Sequence, residues 1–302
     1  LMTDSLFKAR VTAGHGRHHY VEDDAGHLFE ARRRGKKNDV TVGDYVECRQ
    51  ADSQTVAVEA VLPRKTLLFR SDEWRVKELA ANVDLVAVVF ASRPTFNPWF
   101  VWKAVVAAKT AGIDVVAIRN KADLTEGREA CDAFAASLPA AGCPCLTLSA
   151  YDADDVLTKL TPLLENKTTL LIGQSGMGKS TLINVLCPEA QAKTREFSEA
   201  LDLGKQTTTA TRLYRTQFAG SKASLIDSPG FQEFGLAHIT RRNILEAMPD
   251  IAQYAQGCRF YNCTHTHEPG CSVRAAAEAG KVSPERYAFF RAVTEEAKDD
   301  VF

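Results

Sequence analysis

The sequence predicts an α/β domain on a mostly parallel sheet, preceded by a small β-barrel of the oligonucleotide-binding (OB) type and followed by a helical, zinc-binding domain. Three observations carry this reading. Apolar runs such as Asp84-Leu85-Val86-Ala87-Val88-Val89-Phe90 alternate with helical stretches, and strands buried on both faces need helices on both sides. Gly173-Gln174-Ser175-Gly176-Met177-Gly178-Lys179-Ser180 follows one such strand and matches the Gly-x4-Gly-Lys-Ser phosphate loop. Asn120-Lys121-Ala122-Asp123, an Asn-Lys-X-Asp guanine clamp, comes before that loop, and Asp227-Ser228-Pro229-Gly230 comes after it. In most nucleotide-hydrolysing domains of this type the phosphate loop comes first. A complete set of parts in rotated order is the signature of a circularly permuted P-loop GTPase domain.

Residues 1–66 contain five short alternating runs: Arg10-Val11-Thr12, His19-Tyr20-Val21, His27-Leu28-Phe29-Glu30-Ala31, Asp44-Tyr45-Val46-Glu47-Cys48 and Thr55-Val56-Ala57-Val58-Glu59-Ala60-Val61. Period-two runs separated by Gly, Asp and Asn read as strands joined by turns, and five of them suit an OB barrel or an SH3-like one. Arg32-Arg33-Arg34-Gly35-Lys36-Lys37 makes a strongly basic loop within this segment, read equally well as a solvated turn or as a phosphate-facing patch. Pro63-Arg64-Lys65 reads as a linker. The α/β domain spans 67–235, with further strands at Ile113-Asp114-Val115-Val116-Ala117-Ile118, Cys145-Leu146-Thr147-Leu148 and Thr168-Thr169-Leu170-Leu171-Ile172; within it, 193–205 is the least patterned stretch. Residues 236–302 are expected to be helical, ending in an amphipathic stretch over 283–298.

At the phosphate loop, Gly173, Gln174, Ser175, Gly176, Met177 and Gly178 would wrap backbone N–H groups around phosphates at a helix N-terminus. Lys179 is expected to reach the β- and γ-phosphates and Ser180 to coordinate Mg²⁺, with Thr181 beginning the helix that follows. Asp227 ends the apolar stretch Ala223-Ser224-Leu225-Ile226, which brings its carboxylate to the edge of the sheet near Mg²⁺, and Gly230 can offer its N–H to the γ-phosphate. A carboxylate can accept from the N1–H and N2–H₂ of guanine but finds no such pair on adenine, so Asp123 should select GTP over ATP. Asn120 would bind the base or brace the loops, the Lys121 stem would cover the base, and Ser149-Ala150 is the companion loop whose N–H meets guanine O6. Among Thr207, Thr208 and Thr209, Thr208 is the chosen switch residue for Mg²⁺ and the γ-phosphate. Phe231 follows Gly230 where a water-positioning Gln often stands, so slow intrinsic hydrolysis is expected.

Cys258-x4-Cys263-x-His265-x5-Cys271 offers three thiolates and an imidazole, a closed set suited to one structural tetrahedral Zn²⁺. His267 is an alternative to His265, and Glu268-Pro269-Gly270 forms a turn that returns the chain to the metal. The other cysteines are scattered, which argues against a disulfide framework. The formal net charge of −1 gives no global pull towards nucleic acid. No apolar stretch approaches the roughly 20 residues of a membrane helix and the first residues lack the apolar core of a signal peptide, so a cytoplasmic protein is expected.

A small barrel, a permuted GTPase and a Cys/His insert together resemble the ribosome small-subunit-dependent GTPase family (RsgA). The resemblance also covers Leu79-Ala80-Ala81-Asn82-Val83-Asp84, Asp227-Ser228-Pro229-Gly230-Phe231 and Cys263-Thr264-His265-Thr266. It implies a monomeric bacterial factor that binds rRNA of the small ribosomal subunit late in assembly, hydrolyses GTP when that subunit stimulates it, and leaves. It also gives the basic loop rRNA phosphates to meet, and Arg286, Tyr287, Phe289, Phe290 and Arg291 a second RNA-facing role or a place in the core. One departure stands out: relatives usually carry His before the Thr run, where this chain has Gln206. Gln206 and Phe231 leave open an alternative, a nucleotide-gated rRNA-binding factor with little intrinsic hydrolysis.

Overall fold

The computed structural model describes residues 5–15, 18–71, 75–191, 211–228 and 235–298. Its first five strands are β1 (Leu6–His15), β2 (His18–Asp23), β3 (Leu28–Arg33), β4 (Tyr45–Gln50) and β5 (Thr55–Val61). Alternate side chains point inwards, so Val11, Val21, Ala31, Val46, Cys48, Val56 and Val58 form one small core. β1 pairs with both β2 and β4, and β3 pairs with β5 in parallel. That order closes a Greek-key barrel of the OB type rather than an SH3-like one.

The sequence does not announce the next element. Strands β6 (Leu67–Ser71) and β7 (Val76–Ala81) form a separate two-stranded sheet before the α/β domain proper. The hairpin is fastened to the barrel by groups that look like a linker in the sequence. Arg64 makes a two-pronged contact with Asp44 at 2.7 and 2.8 Å, reaches Glu78 of β7 at 3.0 Å, and donates to the Asp39 carbonyl at 2.9 Å. Asn82 adopts left-handed φ of 56°, from which its side chain accepts from Lys65 N at 2.9 Å and donates to Gly43 O at 3.0 Å. Gly43, with φ of 94°, lies against the Ala81 carbonyl where no Cβ would fit.

The central strands are β8 (Leu85–Ala91), β9 (Asp114–Asn120), β10 (Cys145–Thr147), β11 (Thr168–Gly173), β12 (Arg212–Phe218) and β13 (Ser221–Asp227). Their spatial order is β10-β9-β8-β11-β13-β12, parallel except for the β12–β13 pair. Alternate residues of β8 serve opposite cores. Val86, Val88 and Phe90 meet helix α1 (Pro98–Thr110) and the Cys131 side of α2 (Arg128–Ser137). Leu85, Ala87 and Val89 meet α3 (Ala153–Leu164) and α4 (Lys179–Leu186). The sheet runs on into the barrel through Ala13 opposite Arg212, and Arg10 of β1 donates to Thr168 Oγ1 of β11 at 3.0 Å.

Helices α5 (Arg241–Glu246), α6 (Pro249–Ala255), α7 (Ser272–Glu278) and α8 (Pro284–Glu296) follow, as the pattern predicts. They dock on α1: the Phe289 ring lies 5.5 Å from Trp99 and 5.3 Å from Trp102, and Arg286 sits over Trp102 at 5.0 Å while holding Asp250 at 2.9 and 3.0 Å. Arg286, Phe289 and Phe290 are buried, so the core reading holds for them and the RNA-facing reading does not.

Asp44 is fully buried, so removing its guanidinium partner strands a charge. Arg64→Met should cost about 3 kcal/mol and loosen the barrel. Urea unfolding followed by barrel-specific probes measures this, and Asp44→Asn in the same background should add little further loss.

Candidate functional site

The carboxyl ends of the parallel strands β9, β10, β11 and β13 lie along one edge of the sheet, and each delivers a loop predicted to bind nucleotide. After β11, the phosphate loop passes through Gly176 and Gly178, with φ of 82° and 88°, and enters α4 at Lys179. Each glycine faces a neighbour. A side chain at Gly173 would meet Val89 O at 2.8 Å, one at Gly176 would meet Pro94 at 2.9 Å, and one at Gly178 would strike the Asn120 amide. Met177 is buried among the apolar side chains between the sheet and α4, which anchors the turn from below. Ser180 is exposed and Thr181 half-buried at the start of the helix.

Asn120 links three segments. Its Nδ2 donates to Met177 O at 3.0 Å, and its Oδ1 accepts from Ala150 N at 2.9 Å. Of the two roles the sequence left open, bracing the loops is the one its contacts display. Lys121, at left-handed φ of 58°, donates its ammonium to Gly176 O at 2.6 Å and to Arg93 O at 2.9 Å, so its stem lies across the gap between the two motifs. Asp123 is exposed and accepts from the Ser149 hydroxyl at 2.7 Å, the principal cause that holds its carboxyl below the usual range. Ionised and fixed in direction, Asp123 is suited to accept from paired donors on a base. The structure thus brings Asn120, Lys121, Asp123, Ser149 and Ala150 together with the phosphate loop.

Lys179 contacts the Asp227 carboxylate and the Ser228 carbonyl, which sets the expected phosphate-binding cation beside the expected Mg²⁺-side carboxylate. Thr208 and Gly230 lie outside the described residues, as do Gln206, Thr207, Thr209 and Phe231. Sequence reasoning missed a supporting ring. Gln174 Oε1 accepts from Asn97 N at 2.8 Å, and Arg128 grips the carbonyls of Ala122 and Leu124 at 3.0 and 3.1 Å. Asn97 also caps α1 by accepting from Trp99 N. No motif marks Asn97 or Arg128, because their roles come from loops that meet only in space.

In the C-terminal domain, the ligand atoms of Cys258, Cys263, His265 and Cys271 all lie within 4.8 Å of one another. The Nδ1 atom of His265 is 3.5 Å from Cys258 Sγ and 3.7 Å from Cys271 Sγ. Zinc–ligand bonds of about 2.0–2.3 Å at tetrahedral angles put donor atoms roughly 3.5–3.8 Å apart, so the four side chains fit such an ion. His267 is exposed and turned to the Thr266 hydroxyl at 2.8 Å, which leaves His265 as the imidazole of the set. Glu268 gathers the backbone N–H groups of Thr264, Thr266 and His267; burial would raise its carboxyl, but the Thr264 hydroxyl and the backbone bonds hold it far below the usual range. Tyr287 donates to the His265 carbonyl at 2.7 Å, and Arg274 N caps Cys271 Sγ at 3.3 Å. Burial pushes the Cys263 thiol up to about 12, so a bound cation rather than simple ionisation is what suits it as a thiolate.

The basic loop is only partly free. Arg33 is committed to Asp39 at 2.8 Å and to the Val58 and Glu59 carbonyls, and Arg34 pairs with Glu59 at 2.9 Å, while Lys36 and Lys37 are exposed.

Comparison with known proteins accords with this geometry. The family described as RsgA GTPase matches residues 61–237. A relative from Bordetella pertussis, named small ribosomal subunit biogenesis GTPase RsgA, is 48% identical over 295 residues, covering 98% of this chain and 98% of its own. A protein of the same name from Burkholderia pseudomallei is 41% identical, covering 97% of this chain and 93% of its own. Among solved structures, YjeQ from Thermotoga maritima is similar with a TM-score of 0.68 at 25% identity, covering 97% of this chain and 98% of that one. YloQ, described as a circularly permuted GTPase, shares the fold with a TM-score of 0.66 at 24% identity, covering 97% and 95%. A rotated set of GTPase motifs meeting at one sheet edge, in a chain that these relatives match from end to end, places the protein: it belongs to the RsgA GTPase family.

Proposed function

We propose that this chain is a GTP hydrolase activated by the small ribosomal subunit, acting late in the maturation of that subunit and binding its rRNA. The observation that carries the proposal is the interlocked guanine and phosphate loops in a chain 48% identical, over nearly its whole length, to a relative named for small-subunit biogenesis. Asp123 selects guanine, with Ser149 directing its carboxylate, while Ala150 donates its N–H to Asn120 Oδ1 and so holds the companion loop in place. Asn120 and Lys121 hold the base loop to the phosphate loop. The backbone of Gly173, Gln174, Ser175, Gly176, Met177 and Gly178 cradles phosphate, and Lys179 leaves Asp227 to meet the negative charge of the β- and γ-phosphates. Ser180, Thr208 and Asp227 are the residues for Mg²⁺, Gly230 is the backbone donor to the γ-phosphate, and Thr181 extends the phosphate site into α4. When bound, Mg²⁺ would neutralise charge on the phosphate oxygens.

The division we propose is an rRNA-binding barrel over 1–66, the permuted GTPase domain over 67–235 and a zinc domain over 236–302. Zn²⁺ held by Cys258, Cys263, His265 and Cys271 would be structural, since four protein donors leave no position for substrate. No described helix is long and apolar enough to cross a membrane, and we propose a cytoplasmic monomer. Release of the switch segment after hydrolysis would lower affinity for the subunit.

GTP hydrolysis by the full chain should rise strongly with small ribosomal subunits and not with large ones. Tight GTP binding without stimulated turnover would instead support a gated rRNA binder and implicate Gln206. Asp123→Asn should shift preference from GTP towards xanthosine triphosphate, measured by competition binding; unchanged GTP preference would remove Asp123 from base selection.

A further inference from the structure

The metal centre presents a feature that nucleotide chemistry does not use. Between Cys258 and Cys263 the chain makes a tight turn, 259–262, in which Cys263 N donates to Phe260 O at 3.2 Å and Arg259 N donates to Gly270 O at 3.1 Å. Both ends are therefore fixed, one by the candidate metal cluster and one by the Glu268-Pro269-Gly270 turn that returns to it. At the tip stands Tyr261, 98% exposed, beside Phe260 at 40%. The Arg259 guanidinium lies 5.5 Å from the Phe260 ring centre, and Asn262 completes an exposed row.

A rigid turn that holds a large aromatic ring in water gains nothing for the fold from that ring. Among the described residues, Phe260 and Tyr261 are the large apolar side chains exposed in the C-terminal domain, and their immediate neighbours Arg259 and Asn262 are polar. Protein–protein hot spots sit inside a ring of contacts that excludes water, whereas stacking on a nucleobase needs only one flat face with a cation close by. The turn supplies the second pattern: the Tyr261 ring stands open to solvent, the Arg259 guanidinium lies over the neighbouring Phe260 ring as the nearby cation, and the exposed Asn262 adds an amide of the kind that pairs with base edges.

We propose that Tyr261 is a stacking platform for an unpaired base of the small-subunit rRNA, presented by the metal-clasped turn. This rests on the proposed small-subunit function and names one contact through which it works. Stacking and ion pairing respond differently to salt: loss of a stacked ring lowers affinity at every salt concentration, whereas loss of a phosphate contact also flattens the salt dependence.

The test is binding of the full-length, zinc-loaded protein to small ribosomal subunits across a salt series, with zinc content and thermal midpoint as folding controls. Tyr261→Ala should weaken binding roughly tenfold with an unchanged salt slope, and Tyr261→Phe should bind like the parent. Arg259→Gln should instead reduce the slope. A photo-crosslinking residue at position 261 should label rRNA. Unchanged binding by Tyr261→Ala, equal loss in Tyr261→Phe, or crosslinking only to ribosomal protein would overturn the stacking role. Failure of the unmodified protein to bind small subunits at all would instead overturn the underlying functional reading.

Discussion

The candidate nucleotide site depends on one buried amide. Asn120 is 1% exposed, and each end of its side chain is tied to a different loop: one to the carbonyl of Met177 in the phosphate loop, the other to the N–H of Ala150. A buried polar group of this kind is costly unless every bond is made, so the three segments are stable together and not separately. The approach is close enough that only a glycine fits at position 178, and Lys121 repeats the bridge on the outer side through Gly176. Circular permutation moves the chain ends of the GTPase unit without disturbing this contact, because the amide joins loops that meet in space whatever their order in sequence.

The same logic governs how the other units attach. The barrel meets the sheet through the β1–β12 pair, the Arg10–Thr168 bond and Arg215 of β12, which reaches Glu22 and the Asp23 carbonyl of β2, and the Arg64–Asp44–Glu78 cluster adds an ionic joint through the β6–β7 hairpin. That hairpin also touches the segment after Asp227, where Gly235 N donates to Ser71 O at 2.9 Å. On the opposite side, α1 begins at Asn97, which contacts Gln174 of the phosphate loop, and its Trp99 and Trp102 receive Phe289 of the C-terminal domain. The C-terminal unit is thus anchored on a helix whose cap touches the phosphate loop, and the barrel on β12, the neighbour of the strand that ends at Asp227.

Much of this was legible in the sequence for physical reasons. Fully apolar strands such as β8 can only be buried on both faces, the glycines of the phosphate loop mark backbone conformations other residues resist, and clustered Cys and His residues have few uses besides metal. Less legible were elements whose meaning lies in a distant partner. Arg64 looks like a linker charge until Asp44 and Glu78 are seen around it, and Arg286 looks like a surface cation until it stacks on Trp102 and pairs with Asp250. The β6–β7 hairpin went unread because Leu67-Leu68-Phe69 and Val76-Lys77-Glu78-Leu79 carry no clean alternation. The choice between His265 and His267 needed coordinates as well, since spacing alone admits both.

The central claim, that guanine and phosphate recognition form one interlocked unit around Asn120, is tested most directly by titrating Gly178→Ala protein with GDP and with GTP. The added methyl group forces the amide aside and strains a left-handed position. Both affinities should fall at least about tenfold while the far-ultraviolet circular dichroism is retained. Unchanged affinity for both nucleotides in the folded variant would contradict that claim.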